Sequence, residues 1–397
     1  MQAHQNDKVS NYVNDDIAFS ILSKLSWKSF KRFECVRKSW SLLSDDPTFM
    51  NVYRRNFLPK CSYDDDTSLI LHFDGHEKLY SLSGEGFETT VELDWQDQNQ
   101  DWKFLDFGCV NGILCFEQPI WHNILFWNPA TLEFKFIPPS PSESLSSLLA
   151  LNFDAEVTFT IDRDLHGFGY DCVGDDYKLI RKTSIFLHFH TADLISERDM
   201  PLHLDKLLEP FWEIYSLKSN SWKKLDLDMP IADGFGGNLQ VYMDGACHWL
   251  NLSVRASLIS FDLRNEVFIN TPIPSYAGET LIELSVLNES IALFTYHHNI
   301  GAFNISVLGD LGVKESWLKL FTVGPFPCFE TRPSFDIFGV GKKGELFIEN
   351  RDSSELVWYD LNTNRINRLC FSAEQFNHRG RIVVYNKNML SLGAISN

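Results

Sequence analysis

The stretch VYMDGACHWL (241–250) is followed, eight residues later, by ISFDLRNEVFINT (259–271). β-branched and aromatic residues fit a pleated, half-buried surface. An Asp-Gly pair between two such runs is a strong signal for a tight hairpin. In the second stretch the break is Leu-Arg-Asn-Glu, again with a turn-forming residue between apolar runs. Two hairpins in succession predict a four-stranded antiparallel unit.

The same form recurs. LFWNPATLEFKFI (125–137), EIYSLKSNSWKKL (213–225), ISVLGDLGVKESWLKL (305–320) and VWYDLNTNRINRL (357–369) match the second hairpin. CVNGILCF (109–116), LSVLNESIALF (284–294) and FGVGKKGELFI (338–348) match the first. Units at roughly 45–55-residue spacing are the mark of a β-propeller. Five complete units are expected between residues 105 and 371. Two half-units remain, SLILHF to KLYSLS (68–83) and RIVVYNKNMLSLG (381–393). Joined, they would make a sixth blade from both ends of the β-domain and remove the open edges. The fold class is therefore mainly β: six four-stranded blades behind a small all-α N-terminal module. A seventh blade within 139–211 is the alternative. Residues 139–165 and 190–211 break the period. As long irregular connections on one rim, they are either target contacts or passive loops.

Composition agrees with a soluble, aromatic-rich core: 397 residues, 44% hydrophobic, with 32 Phe, 11 Trp and 12 Tyr. No run of 18 apolar residues predicts a membrane span. The polar N-terminus lacks a signal-peptide pattern, which points to the cytoplasm or nucleus. Net charge is −18, so a nucleic-acid backbone would be repelled. Residues 15–57 nevertheless carry a net +3 and the remainder −21, which suggests two different partners. The eight cysteines form no Cys-x-x-Cys pair and read as reduced, mostly buried thiols.

In the N-terminal segment Asn14 is a good N-cap, with Asp15 and Asp16 in a first helical turn. Ile17, Ile21, Leu22 and Leu25 follow at helical spacing. Ser26 can cap a second helix carrying Phe30 and Phe33, and a third stretch holds Val36, Trp40 and Leu43. Asp46-Pro47 starts a fourth, with Phe49, Val52 and Tyr53. Four short helices bury little surface alone, so some apolar residues must dock elsewhere.

The run DDIAFSILSKLSWKSFKRFECVRKSWSLLSDDPTF (15–49) resembles an F-box. The shared positions are Ile21-Leu22, Lys28-Ser29, Arg32-Phe33, Val36, Lys38, Trp40, Asp46-Pro47 and Phe49. The resemblance implies binding to a Skp-type adaptor and, through it, to cullin. It assigns Ile17, Ile21, Leu22, Leu25, Phe30, Phe33 and Val36 to the adaptor-facing surface, and Trp40, Pro47 and Phe49 to the F-box core. Of two Leu-Pro pairs in the pattern, the first reads Tyr12-Val13 here, and at the second Leu25 is followed by Ser26-Trp27. Loss of each proline is expected to weaken adaptor binding by about 1 kcal/mol, through added unfolded-chain entropy. The body resembles the plant F-box-associated domain, a relative of kelch-type propellers. The pieces are CVNGILCF, WNPATLEF, GFGYDCVGDDYKLIR (167–181), YSLKSNSWKKL, DGACHWL, ISFDLRNEVF, KESWLKLF and WYDLNTNRI. In that family the domain recruits the protein to be ubiquitinated. The implied layout is a disordered 1–10, an F-box over 11–57, a linker over 58–67 and a propeller over 68–397.

Other motifs carry less. Gly339-x-Gly341-x-x-Gly344 has the letters of a dinucleotide fingerprint, but a strand follows it rather than a helix. His188 and His190, His297-His298, and Asp64-Asp65-Asp66 lack the further ligands of a metal site. Asn251, Asn288 and Asn304 head glycosylation-type triplets that stay bare without secretion. No nucleophile elbow, P-loop or zincin motif is present, so no cofactor is expected and catalysis belongs to partner subunits. A propeller scaffold outside a ligase, or a propeller enzyme with polar residues at its channel, are the rival readings.

Overall fold

The computed structural model describes residues 13–57, 67–73, 78–93, 103–104, 109–118, 122–144, 157–189, 209–226, 235–252, 256–274, 279–297, 301–325, 335–350, 355–372, 380–389 and 392. The 1–10 segment, nearly all of the expected linker, Asp64 to Asp66, His190 and His298 lie outside them.

Four helices come first: α1 (Asp15–Leu22), α2 (Trp27–Glu34), α3 (Lys38–Ser41) and α4 (Pro47–Phe57). The chain then enters the ring with β1 (Thr67–Phe73), β2 (Leu79–Ser83) and β3 (Thr89–Leu93). Blade 2 is β4 (Lys103–Phe104), β5 (Leu114–Glu117), β6 (Ile124–Asn128) and β7 (Glu133–Phe136). Blade 3 is β8 (Val157–Asp171), β9 (Asp176–Phe189), β10 (Phe211–Ser216) and β11 (Ser221–Leu225). Blade 4 is β12 (Phe235–Met243), β13 (Ala246–Asn251), β14 (Ser257–Asp262) and β15 (Val267–Pro272). Blade 5 is β16 (Glu279–Leu287), β17 (Ser290–His297), β18 (Ala302–Leu308) and β19 (Trp317–Val323). Blade 6 is β20 (Phe335–Val340), β21 (Glu345–Asn350), β22 (Glu355–Asp360) and β23 (Arg365–Ser372). The last strand, β24 (Gly380–Asn386), returns to pair with β1.

The result is six four-stranded sheets, every neighbouring pair antiparallel. The first strands of successive blades, β8, β12, β16, β20 and β24, lie side by side and line the axis. Side-chain chemistry explains the repeat visible in the sequence. Asn111-Gly112 and Asp244-Gly245 both take positive φ at each residue, as a tight hairpin of this hand requires. The outer turns begin with an Asn or Asp whose carboxyl or amide oxygen accepts backbone N–H groups two or three residues on: Asn128, Asp262 and Asp360. In the third-to-fourth turns of blades 3 and 6 a tyrosine hydroxyl donates to an asparagine five residues later, Tyr215 to Asn220 and Tyr359 to Asn364, each at 2.8 Å.

Three expectations change. The closing blade is not two strands from each end but three from the front and one from the back, in the order β24-β1-β2-β3. The described residues after β24, 387–389 and 392, form no strand. They cross to blade 2, where Asn388 Nδ2 donates to Asn111 O and Asn128 Nδ2 donates to Asn388 O. Leu392 N–H donates to Glu133 Oε2, and its side chain is buried. Second, 157–165 is not irregular but the first half of β8. Third, residues 140–142 are tied down: Ser140 and Ser142 hydroxyls donate to the buried carboxylate of Glu213, which also pairs with Arg181 Nε at 3.0 Å. The Arg181 guanidinium lies over the Trp222 ring, so this buried charge is both paired and packed. No seventh blade is present among the described residues.

Of the dinucleotide motif's letters, Gly341 and Gly344 fall in the β20–β21 turn, whereas Gly339 lies within β20 at a shift of register. Gly339 is needed because β24 passes over it. A Cβ there would lie 2.0 Å from the Ile382 carbonyl oxygen, at a φ of +154° that side chains resist. Gly339→Ala should therefore destabilise the ring by at least about 2 kcal/mol, read by thermal denaturation.

His72, His166 and His248 are buried inside the blades, and burial shifts the pKa of the last two. His166, beside the Trp212 and Trp249 rings, is held at a pKa of about 3 by burial and by Lys182. His248, facing Ser260 Oγ at 2.8 Å, is held at about 4 by burial. Both are neutral in the fold, whereas an unfolded histidine takes a proton near pH 6.5. Stability is fully present above that value and drains as pH falls toward 3. Urea midpoints measured from pH 7 to pH 4 should fall, and His248→Gln should flatten part of that slope.

Candidate docking surface on the helical module

Helix α1 begins where Asn14 Oδ1 accepts the Asp16 N–H at 2.9 Å. Its eight residues carry two apolar seams. Ala18 and Leu22, four apart, face inward and are buried. Ile17 and Ile21, also four apart, face outward and are 56% and 53% exposed. In α2, capped by Ser26 Oγ, Trp27 and Phe30 point inward. Phe33 points outward at 42% exposure, and Val36 beyond it is 66% exposed. These four apolar side chains stand in solvent, on a module whose 24–38 stretch is rich in Lys and Arg. Arg37 joins the start of α1 to the chain beyond α2, pairing with Asp15 at 2.9 Å and donating to Val13 O.

The seven residues assigned to the adaptor surface thus divide. Ile17, Ile21, Phe33 and Val36 stand in solvent. Leu25 is half-buried against the core. Leu22 and Phe30 are corrections: both are buried in a cluster that includes Leu287, Phe294, Phe303, Ile305 and Val307 of blade 5. Helical periodicity marks apolar positions but not which of two seams turns inward. Of the residues assigned to the module's core, Phe49 is fully buried between the Phe19 and Phe30 rings. Trp40 is half-buried, 6.3 Å from the Phe33 ring. Pro47 is a correction. It is exposed and acts as the first residue of α4, behind Asp46, whose Oδ1 accepts the Thr48 N–H.

The module is not a tethered appendage. Trp27 is buried between Phe30, Tyr53 and Gly309, and its indole N–H donates to Ser316 O at 2.9 Å. Arg54 Nε donates to Leu320 O at 2.7 Å, and the Phe57 ring meets Phe321. Tyr53 donates its hydroxyl to Leu25 O, and burial pushes its pKa far up. One apolar cluster runs from α1 through blades 5 and 6. The sequence signal for this was Trp27 itself, a large aromatic directly after Ser26, which stands where the F-box pattern has proline.

Among the described residues no group of three His, Cys, Asp or Glu is arranged to hold a metal ion, and no helix is long and apolar enough to cross a membrane. A cavity of about 150 Å³ lies between blades 4 and 5 under α2. Lys28, Asp244, His248, Asp262 and Glu289 line it together with apolar residues.

Residues 69–386 match the F-box associated beta propeller domain, and the chain belongs to that family. Its relatives in Arabidopsis thaliana include F-box protein CPR1, 21% identical over 377 residues, covering 89% of this chain and 83% of that protein. F-box/kelch-repeat protein At3g23880 is 24% identical over 317 residues, 76% of this chain and 77% of that one. The F-box protein At3g16210 is 24% identical over 275 residues, 68% of this chain, which spans 62% of that relative's length. Family and relatives together place the chain among plant F-box proteins that carry an F-box-associated propeller.

Trp27→Ala should cost about 3–5 kcal/mol, as for other large-to-small changes in packed cores. Trp27→Phe should cost less but still lose the bond to Ser316. Denaturant unfolding followed by tryptophan fluorescence would measure both.

Proposed function

We propose that this chain is the substrate-recognition subunit of a Skp-cullin-F-box ubiquitin ligase, acting in the cytoplasm or nucleus. The observation that carries the reading is the exposure of Ile17, Ile21, Phe33 and Val36. A helical module whose inward seam is filled by its own propeller has kept a second apolar seam in water. Such a patch marks a docking site. The basic residues of the module suit an acidic adaptor, in contrast to the acidic body. The propeller then holds a target protein, and the chain itself is not an enzyme.

Its contribution to ubiquitin transfer is proximity. Holding a target lysine beside an activated thioester on a partner subunit replaces a bimolecular encounter with an intramolecular one. The shared core between module and propeller keeps that geometry fixed.

The test is calorimetry of the purified chain against a plant Skp-type adaptor. Ile21→Asp, at an exposed position, should weaken binding by about 2 kcal/mol, roughly thirtyfold, without unfolding the chain. Leu22→Asp is unsuitable because it buries a charge in the shared core. Failure of the well-folded native chain to bind would support the scaffold reading, with the two absent prolines as its cause.

A further inference from the structure

The cavity under α2 is built by both parts of the chain. Lys28 of α2 lines one side, and blades 4 and 5 supply the rest. Trp27 fixes the helix above it. Its indole N–H is bonded to Ser316 O, and its ring stands where a Cβ on Gly309 would be 3.2 Å away. Two hairpin turns form the opposite rim. Asp244-Gly245 in blade 4 and Asn288-Glu289 in blade 5 take positive φ at both residues. They bring Asp244 and Glu289, from neighbouring blades, to the same cavity.

The lining changes with depth. Lys28, Asp244 and Glu289 are exposed, whereas His248, Ser260, Ile291 and Leu308 are buried. The two polar groups at the floor satisfy each other. His248 Nδ1 lies 2.8 Å from Ser260 Oγ, and His248 Nε2 faces Met243 O at 3.4 Å. A carbonyl can only accept, so in the neutral ring Nε2 carries the proton and Nδ1 accepts from the serine. The floor therefore asks for no polar partner and can face an apolar group. A volume of about 150 Å³ is the size of an apolar cavity that takes benzene.

The rim has the opposite character. Asp262 is committed to its own turn, where Oδ1 accepts the Arg264 and Asn265 N–H groups and Oδ2 accepts Asn265 Nδ2. Among the described residues, Lys28, Asp244 and Glu289 make no hydrogen bond or ion pair. Unpaired charges of both signs thus stand around an apolar hollow.

We propose that this cavity binds a free α-amino acid with a branched apolar side chain, of the size of leucine. Its ammonium would meet Asp244 and Glu289, and its carboxylate Lys28. Its side chain would enter between Ile291 and Leu308. Charge-assisted hydrogen bonds orient such a ligand, and burial of the side chain drives its entry. The occupant would touch α2 and the ring together and so add a tie between them. The inference stands apart from the ligase reading, since it needs neither adaptor nor target.

The full chain is titrated with L-leucine, by calorimetry and by ligand-observed NMR. A ligand of about nine non-hydrogen atoms is expected to bind with a Kd of about 1 mM or tighter, and to raise the melting temperature. Isocaproate lacks the ammonium, leucinamide the carboxylate and glycine the side chain. Each should bind at least about tenfold more weakly. The double variant D244N/E289Q should weaken leucine at least about tenfold. Asparagine tolerates the left-handed backbone at position 244, and melting of the unliganded variant checks its fold. Lys28→Met should weaken leucine while leaving leucinamide unchanged, a difference that a merely disturbed fold would not produce. No binding of leucine, equal binding of glycine or isocaproate, or undiminished binding by a folded D244N/E289Q variant would each overturn the proposal. Equal binding of leucinamide would overturn the amino-acid assignment in favour of a bare ammonium, such as the first residue of a peptide.

Discussion

Seven residue pairs, from Thr67↔Asn386 to Phe73↔Gly380, join the two ends of the β-domain. A circle of sheets is stable only when its last interface is made, because each blade buries apolar area against both neighbours. The closing strand is held in three ways beyond those pairs. Gly339 leaves room for the Ile382 carbonyl. Arg381 reaches across β20 to Glu283 at 2.8 Å. The residues beyond β24 are strapped to blade 2 through Asn388 and Leu392. The charge pair is largely buried, so its value lies in directing β24 to one register more than in net energy.

Closure also decides what the helical module can be. Its inward seam, Ala18, Leu22, Trp27, Phe30 and Phe49, packs with Tyr53 and Phe57 of α4 in one cluster with blades 5 and 6. Because those blades stand in a closed ring, the module is held as part of one rigid core. Its remaining apolar seam then faces solvent in a defined direction relative to the ring.

Much of this was legible in the sequence, for local reasons. Asn-Gly and Asp-Gly turns, apolar runs of strand length and helix caps at Asn14, Ser26 and Asp46 each declare themselves within a few residues. Six blades followed from counting hairpins. What stayed hidden depends on distant parts of the chain. The split of three strands and one is invisible because β3 has the weak composition Thr-Thr-Val-Glu-Leu, four of five residues exposed. The strap after β24 forms no periodic pattern. On α1, Ile21 and Leu22 are adjacent and equally apolar, and only the position of blade 5 sends one inward and leaves the other in water. Pro47 looked like core from its place in a motif, yet its work is at the backbone.

Synthesis runs from the N-terminus, and this imposes an order on assembly. The helices leave the ribosome first, but the strands that cover their inward seam span residues 279–361, and the ring shuts only after residue 386. Until then Trp27 and Phe30 have only each other and Phe49 and Tyr53 of α4 to pack on. A nascent or truncated chain therefore carries the exposed apolar residues of α1 and α2 without the full support that shapes them. Maturation of that surface is coupled to closure of the ring, so a fragment with an unfinished propeller also presents an unfinished helical module.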